Sequence, residues 1–243
     1  MNTSHMEIAP SDLYFVAETY YFCHRIPDSI TYIKRYAEKN DGFTLKEYKL
    51  YEKIYRAAID PTREYLYYID NAISNTSTDR IHDLIDNLQK YRNASFCKLR
   101  DLCLDSIDFS MNVIIPKLNS QEIIAYFYKL IGDLHRIIAE NGNNDENPDH
   151  ISKADDSYSR AISICSAKNI QSSPLFLSVT LNYAKFMYDN LKSCEKAYEM
   201  LHSSVKNAEL ELGQLDKDSQ IESLQILNAM RTNLIVWSDH MID

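Results

Sequence analysis

The chain has 243 residues, 45% hydrophobic and 25% charged, enough to bury a core and to form one or two domains. Its 4 glycines and 6 prolines are too few for a turn-rich all-β fold. The net charge of −9 disfavours non-specific nucleic-acid binding, because an acidic body repels phosphates. Any phosphate site must therefore be a local basic island.

Residues 1–9 are set aside as a disordered N-terminus or cloning remnant. Helical periodicity then runs nearly throughout. Residues 12–24 and 28–40 predict two short helices, separated by Ile26-Pro27-Asp28-Ser29. Thr44-Leu45-Lys46-Glu47 has the capping-box spacing and opens a long helix. Pro61 falls inside that helix, where a missing N–H and a clash with the carbonyl of Ala57 predict a kink, or a break and restart. Asn75 to Thr78 reads as a linker, and Asp79 to Asn112 as another long helix. Pro116 closes the connection, and Asn119-Ser120 caps a helix running to about Glu140. Residues 141–148 are polar and predict a loop. Further helices are expected at 151–168, 174–190, 193–212 and 217–238, with Pro174 in the first turn of its helix. The reading is all-α, about nine helices, mostly antiparallel neighbours.

Five cysteines, scattered and without a CxxC pair, support neither a disulfide framework nor a zinc site. No run of 18 apolar residues suggests a membrane span, and the N-terminus lacks a signal-peptide core. The expectation is a soluble, reduced, cytoplasmic protein with no metal, no cofactor, no membrane and no nucleic-acid partner. No catalytic set emerges. His135, Cys97 and Cys103 have no motif context, and neither GxGxxG nor a P-loop occurs. The chain is not expected to be an enzyme.

What remains is a scatter of arginines and amides on several helices. Arg56 and Arg63 lie seven residues apart, two turns along a helix, and form either one basic stripe or a solvated face. Spacing alone favours the solvated face. Arg136 follows Asp133 by three residues, which a local ion pair explains. Asn182 and Asn233 interrupt apolar helical runs. Each is either a buried hydrogen-bond anchor or an amide that pairs with the backbone of an extended peptide. Trp237, the only tryptophan, reads first as core.

Several segments, in order, resemble the 14-3-3 family: Tyr55-Arg56-Ala57-Ala58, Tyr91-Arg92 with Leu99-Arg100-Asp101, Gly132-Asp133-Leu134-His135-Arg136, Leu181-Asn182-Tyr183, and Met230 to Trp237. The resemblance runs from about Asp12 to Trp237. It implies one helical domain over residues 10–238, a short tail at 239–243, a cup-shaped homodimer, and an amphipathic groove for phosphoserine or phosphothreonine peptides. It places Arg56, Arg63 and Arg136 at the phosphate and Asn182 and Asn233 at the peptide backbone. Lys129, Ile137, Leu181, Lys185, Ala229 and Trp237 stand on the groove wall. Ala17, Glu18, Phe22, Tyr91 and Arg92 stand at the dimer interface.

Departures from the family pattern accompany the match. Ile137 stands where the family has a phosphate-contacting tyrosine, which removes a hydrogen bond worth roughly 1.5–3 kcal/mol. Lys185 replaces a valine of the apolar wall, and Ala229 and Gln225 replace larger apolar residues. Asp60 and Pro61 separate Arg56 from Arg63. Phe22 and Arg25 occupy the places of first-helix charges that pair across the family's dimer. The expectation is an adaptor that holds or masks phosphorylated clients. The alternatives are a tetratricopeptide-like repeat module, with residues 174–212 as one hairpin, and a scaffold with weakened phosphate binding.

Overall fold

A computed structural model describes residues 8–75, 82–142, 147–166 and 171–242. Among the described residues there are nine α-helices and no strand. The chain divides between Asn119 and Ser120 into two compact units.

The first unit holds α1 (Leu13–Phe22), α2 (Ile26–Lys39), α3 (Leu45–Ser74) and α4 (His82–Phe109). The chain reverses between α1 and α2 at His24, whose φ of 56° is left-handed. Leu13 and Ala17 bury one face of α1, and Ser29 Oγ donates to the Ala17 carbonyl at 2.7 Å, fastening α2 to it. The expected capping box opens α3. The Thr44 side chain accepts from the Lys46 N–H, and Glu47 accepts from the Thr44 N–H at 2.8 Å.

The break allowed for at Pro61 is absent, and α3 is helical from Leu45 to Ser74. Buried Ile54, Tyr55 and Ile59 precede the proline and buried Leu66 and Ile69 follow it. This continuous packed face outweighs one missing backbone bond. Tyr51 donates to the Ser106 carbonyl at 3.2 Å and Tyr55 to Asp105 at 2.7 Å, joining α3 to α4. Past Phe109 the backbone loosens into a π turn and then a 3-10 turn containing Pro116. Lys117 Nζ reaches back to the carbonyls of Ala37 and Glu38, at 2.9 and 2.8 Å, capping the end of α2. Most of the expected 75–78 linker and the start at Asp79 lie outside the described residues.

The second unit holds α5 (Gln121–Asn141), α6 (Asn147–Ser166), α7 (Pro174–Asp189), α8 (Cys194–Glu211) and α9 (Lys217–Ile242). Ser120 caps α5 and Ser173 caps α7, each accepting from the N–H three residues on. The expected loop at 141–148 ends sooner than composition suggested, since α6 begins at Asn147 rather than near 151. Pro148 suits a first helical turn, where its missing N–H leaves no bond unmade. Residues 143–146 of that loop lie outside the described residues. Helix α9 runs to Ile242, past the end expected at 238.

The core of this unit gathers Leu177, Ala184, Leu201, Leu227, Met230 and Trp237 from α7, α8 and α9. Trp237 is buried and stacks on Tyr188 with ring centroids 4.4 Å apart and planes 4° apart. No described helix is long and apolar enough to cross a membrane.

Candidate functional site

The second unit carries a charged stripe along α5. Lys129, Asp133, Arg136 and Glu140 follow one another at steps of four, three and four residues, which brings them onto one helical face. Lys129 Nζ lies 3.0 Å from Asp133, and Arg136 lies 3.0 Å from Glu140 and 3.7 Å from Asp133. Two neighbouring helices complete the cluster. From α6, the Tyr158 hydroxyl donates to Asp133 Oδ1 at 2.5 Å and accepts from Arg136 Nε at 3.3 Å. From α7, Asn182 Nδ2 donates to both Asp133 oxygens, at 2.9 and 3.1 Å.

Asp133 is therefore the hub that fixes Arg136 and Asn182 beside each other. Burial by itself would raise its carboxyl. Lys129, Arg136 and the Tyr158 hydroxyl outweigh that and hold it below the ordinary carboxylate range. The Arg136 guanidinium loses hydration by burial, yet Tyr158, Asp133 and Glu140 keep it firmly protonated. The local ion pair expected between Arg136 and Asp133 does form, but in a largely buried setting, with side chains only 20% and 15% exposed. Gly132 matters to this geometry. A Cβ at that position would sit 2.9 Å from the Tyr158 ring, so only glycine lets the ring lie against α5.

Hydrogen bonds to Tyr158 and Glu140 use two of the five N–H donors of Arg136, and its Nη2 lies 3.7 Å from Asp133. Asn182 has its amide N–H group committed to Asp133. Asn233 Nδ2 donates to the Ala229 carbonyl at 2.7 Å on its own helix. Ile137 is buried and supplies no donor beside Arg136. Leu181 is half-buried against the α7–α9 core, and Lys185 stands one turn further along α7. Lys129 and Trp237 are buried.

Next to Arg136, His135 faces His150 of α6 with Nδ1 atoms 2.9 Å apart, both rings buried. Burial first, and then the neighbouring His150, push the His135 imidazole down to about 4. This pair clamps α5 to α6 on the side away from solvent.

In the first unit, Arg56 and Arg63 each lie 3.7 Å from the Asp60 carboxylate. Because α3 does not break at Pro61, both arginines stand on one continuous helix, with side chains 65% and 36% exposed. Asp60, an interruption by sequence, lies within 3.7 Å of both guanidiniums. Phe22 and Tyr91 are 71% and 60% exposed. Ala17, expected at the dimer interface, is fully buried beneath α2 and offers no side chain to a partner. Arg92 is tied within its own chain to Asp70 at 2.9 Å, and Glu18 is half-buried.

Sequence reasoning paired Asp133 with Arg136 alone and missed Tyr158, Glu140 and His150 as parts of the cluster. The steps of four, three and four along α5 were a signal for Asp133 and Glu140. Nothing near Tyr158 or His150 in sequence points to α5.

The sequence profile of the 14-3-3 protein family matches residues 16–238. The chain is 30% identical over 150 residues to 14-3-3-like protein 2 of Caenorhabditis elegans, an alignment spanning 62% of this chain and 60% of that protein. It is 25% identical over 233 residues to 14-3-3 protein homolog 1 of Schistosoma mansoni, covering 96% of this chain and 91% of the relative. Identity to 14-3-3 protein epsilon of Drosophila melanogaster is 25% over 217 residues, covering 89% and 83%. The fold and this match together make the chain a helical adaptor rather than an enzyme: it belongs to the 14-3-3 family. Members of that family generally bind phosphorylated client proteins and form dimers.

Proposed function

We propose that this chain binds phosphoserine- or phosphothreonine-bearing segments of client proteins and regulates those clients by holding or masking them. Arg56, Arg63 and Arg136 supply the phosphate ligands, and Asn182 and Asn233 pair with the peptide backbone. Leu181, Lys185 and Ala229 flank the bound segment, with Lys129, Ile137 and Trp237 supporting them from below. The observation that carries the reading is the Asp133 hub, which holds a largely buried guanidinium and a backbone-type amide in fixed relation. Such prepositioning is what a doubly charged, three-oxygen ligand needs for charge-assisted hydrogen bonds. The same proposal includes a homodimer in the cytoplasm, with the exposed Phe22 and Tyr91 as candidate contacts between copies.

The test is fluorescence anisotropy with an Arg-Ser-x-pSer-x-Pro peptide and its unphosphorylated twin. Only the phosphopeptide is expected to bind, at micromolar affinity or better. Arg63→Glu and Arg136→Gln are each expected to weaken it at least tenfold, about 1.4 kcal/mol. Gln is the better choice at 136, because a glutamate there would stand beside Asp133 and Glu140. Equal binding of both peptides, or of neither, would replace this reading with that of a phosphate-independent scaffold.

A further inference from the structure

We infer that Lys185 is a specificity-determining residue that reads an acidic side chain close to the phosphorylated residue of the bound segment; the inference rests on the phosphopeptide reading above. Four cationic side chains among the described residues of the second unit are not fully exposed: Lys129, Arg136, Lys185 and Arg231. Three of them have a carboxylate within reach. Lys129 lies 3.0 Å from Asp133, Arg136 lies 3.0 Å from Glu140, and Arg231 lies 2.6 Å from Glu209. Among the described residues, Lys185 alone of the four makes no ion pair. Asp189, one turn further along the same helix, makes none with it either. An ammonium without a counter-ion gains more from an incoming carboxylate than one already neutralised.

Its position defines what that carboxylate belongs to. On α7, Lys185 stands between Leu181 and Asn182 in angle and one turn beyond them. Asn182 is bonded to Asp133, and Asp133 to Arg136, so the three side chains form one connected row. Three helical residues advance about 4.5 Å, little more than the roughly 3.3 Å that one extended peptide residue spans. With the phosphate on Arg136 and a peptide N–H on Asn182, the ammonium reaches side chains about one to three residues from the phosphorylated one. The chemistry it recognises there is a carboxylate or a second phosphate. Clients of this chain are therefore expected to carry acidic or multiply phosphorylated segments. This is a departure from the apolar wall implied by the valine at the matching place in the family.

The experiment measures affinities of a phosphoserine peptide set with Asp or Ala placed one, two or three residues to either side. Wild-type protein is expected to prefer Asp over Ala on one side by about fivefold, the scale of a partly exposed ion pair. The ratio is expected to fall to about one in Lys185→Met, to survive in Lys185→Arg, and to reverse in favour of Lys over Asp in Lys185→Glu. A side chain that only packs against α7 would not give that rescue and reversal. Tight phosphopeptide binding with no Asp preference, or a preference retained in Lys185→Met, overturns this inference alone. If the wild type binds no phosphopeptide, the proposed function fails and takes the inference with it.

Discussion

At the scale of single residues, Tyr158 shows how a side chain outside the groove residues governs them. It donates to Asp133 and accepts from Arg136, so it links the hub to the proposed phosphate-binding guanidinium. Tyr158→Phe keeps the ring packing against Gly132 and Phe186 but leaves a buried carboxylate one donor short. The expected outcome is a loss of about 1–3 kcal/mol in urea unfolding. Phosphopeptide affinity should fall as well, beyond what a stability loss explains, because Arg136 Nε loses its anchor. Unchanged affinity in a folded Tyr158→Phe protein would mean that Arg136 is positioned by its acidic neighbours alone. The identities of Arg136 and Asn182 could be read from the sequence; their attachment to one carboxylate could not, because the contacts join residues 25 and 49 positions apart.

At the scale of elements, the α5–α6 pair contains a titratable clamp. The His135 imidazole is held down to about 4, against 6.5 when free, so between those values the unfolded chain binds a proton that the folded one refuses. Stability is therefore complete above pH 6.5 and is lost as pH falls toward 4, by up to about 3 kcal/mol for a shift of this size. His150, Lys153 and Asp149 surround the ring, and of these only Asp149 favours its protonation. Urea midpoints at pH 7.5 and 5.5 are expected to differ in the wild type, and to differ less in His135→Phe. Equal midpoints in the wild type would show that the pair accepts a proton without cost.

The long helix α3 makes the complementary point about legibility. Its capping box, its start and its apolar face were all evident in the sequence. The response to Pro61 was not, because a local steric rule gives the cost of the proline but not the packing that opposes it. Asp60 was equally ambiguous. Its charge reads as an obstacle until the unbroken helix places it between Arg56 and Arg63.

At the scale of the whole molecule, the chain is acidic by nine charges, and Lys129, Arg136 and Arg231 each face a neighbouring carboxylate. Association with a phosphopeptide must then rely on local geometry more than on long-range attraction. The proposed dimer has a different basis in this chain. Arg92 is held by Asp70 in its own chain, which leaves exposed aromatic residues such as Phe22 and Tyr91 as the candidate contact. Light scattering is expected to report a dimer whose mass is insensitive to salt, since burial of apolar surface is not screened as ion pairs are. Phe22→Asp should shift it to the monomer. A dimer that survives Phe22→Asp, or one that dissociates in high salt, would argue for a charged interface.

The sequence by itself determined the helical class, the caps of α3, α5 and α7, the acidic balance and the family. Each of these depends on local spacing or on residue order, and both are present before folding. Tertiary structure alone decided that Asp133 collects Lys129, Arg136, Tyr158 and Asn182, that Pro61 leaves α3 intact, and that Lys185 has no counter-ion among the described residues. Those facts depend on which helix faces are pressed together. The free energy that decides this is spread over a core built from distant segments, so no single stretch of sequence carries it.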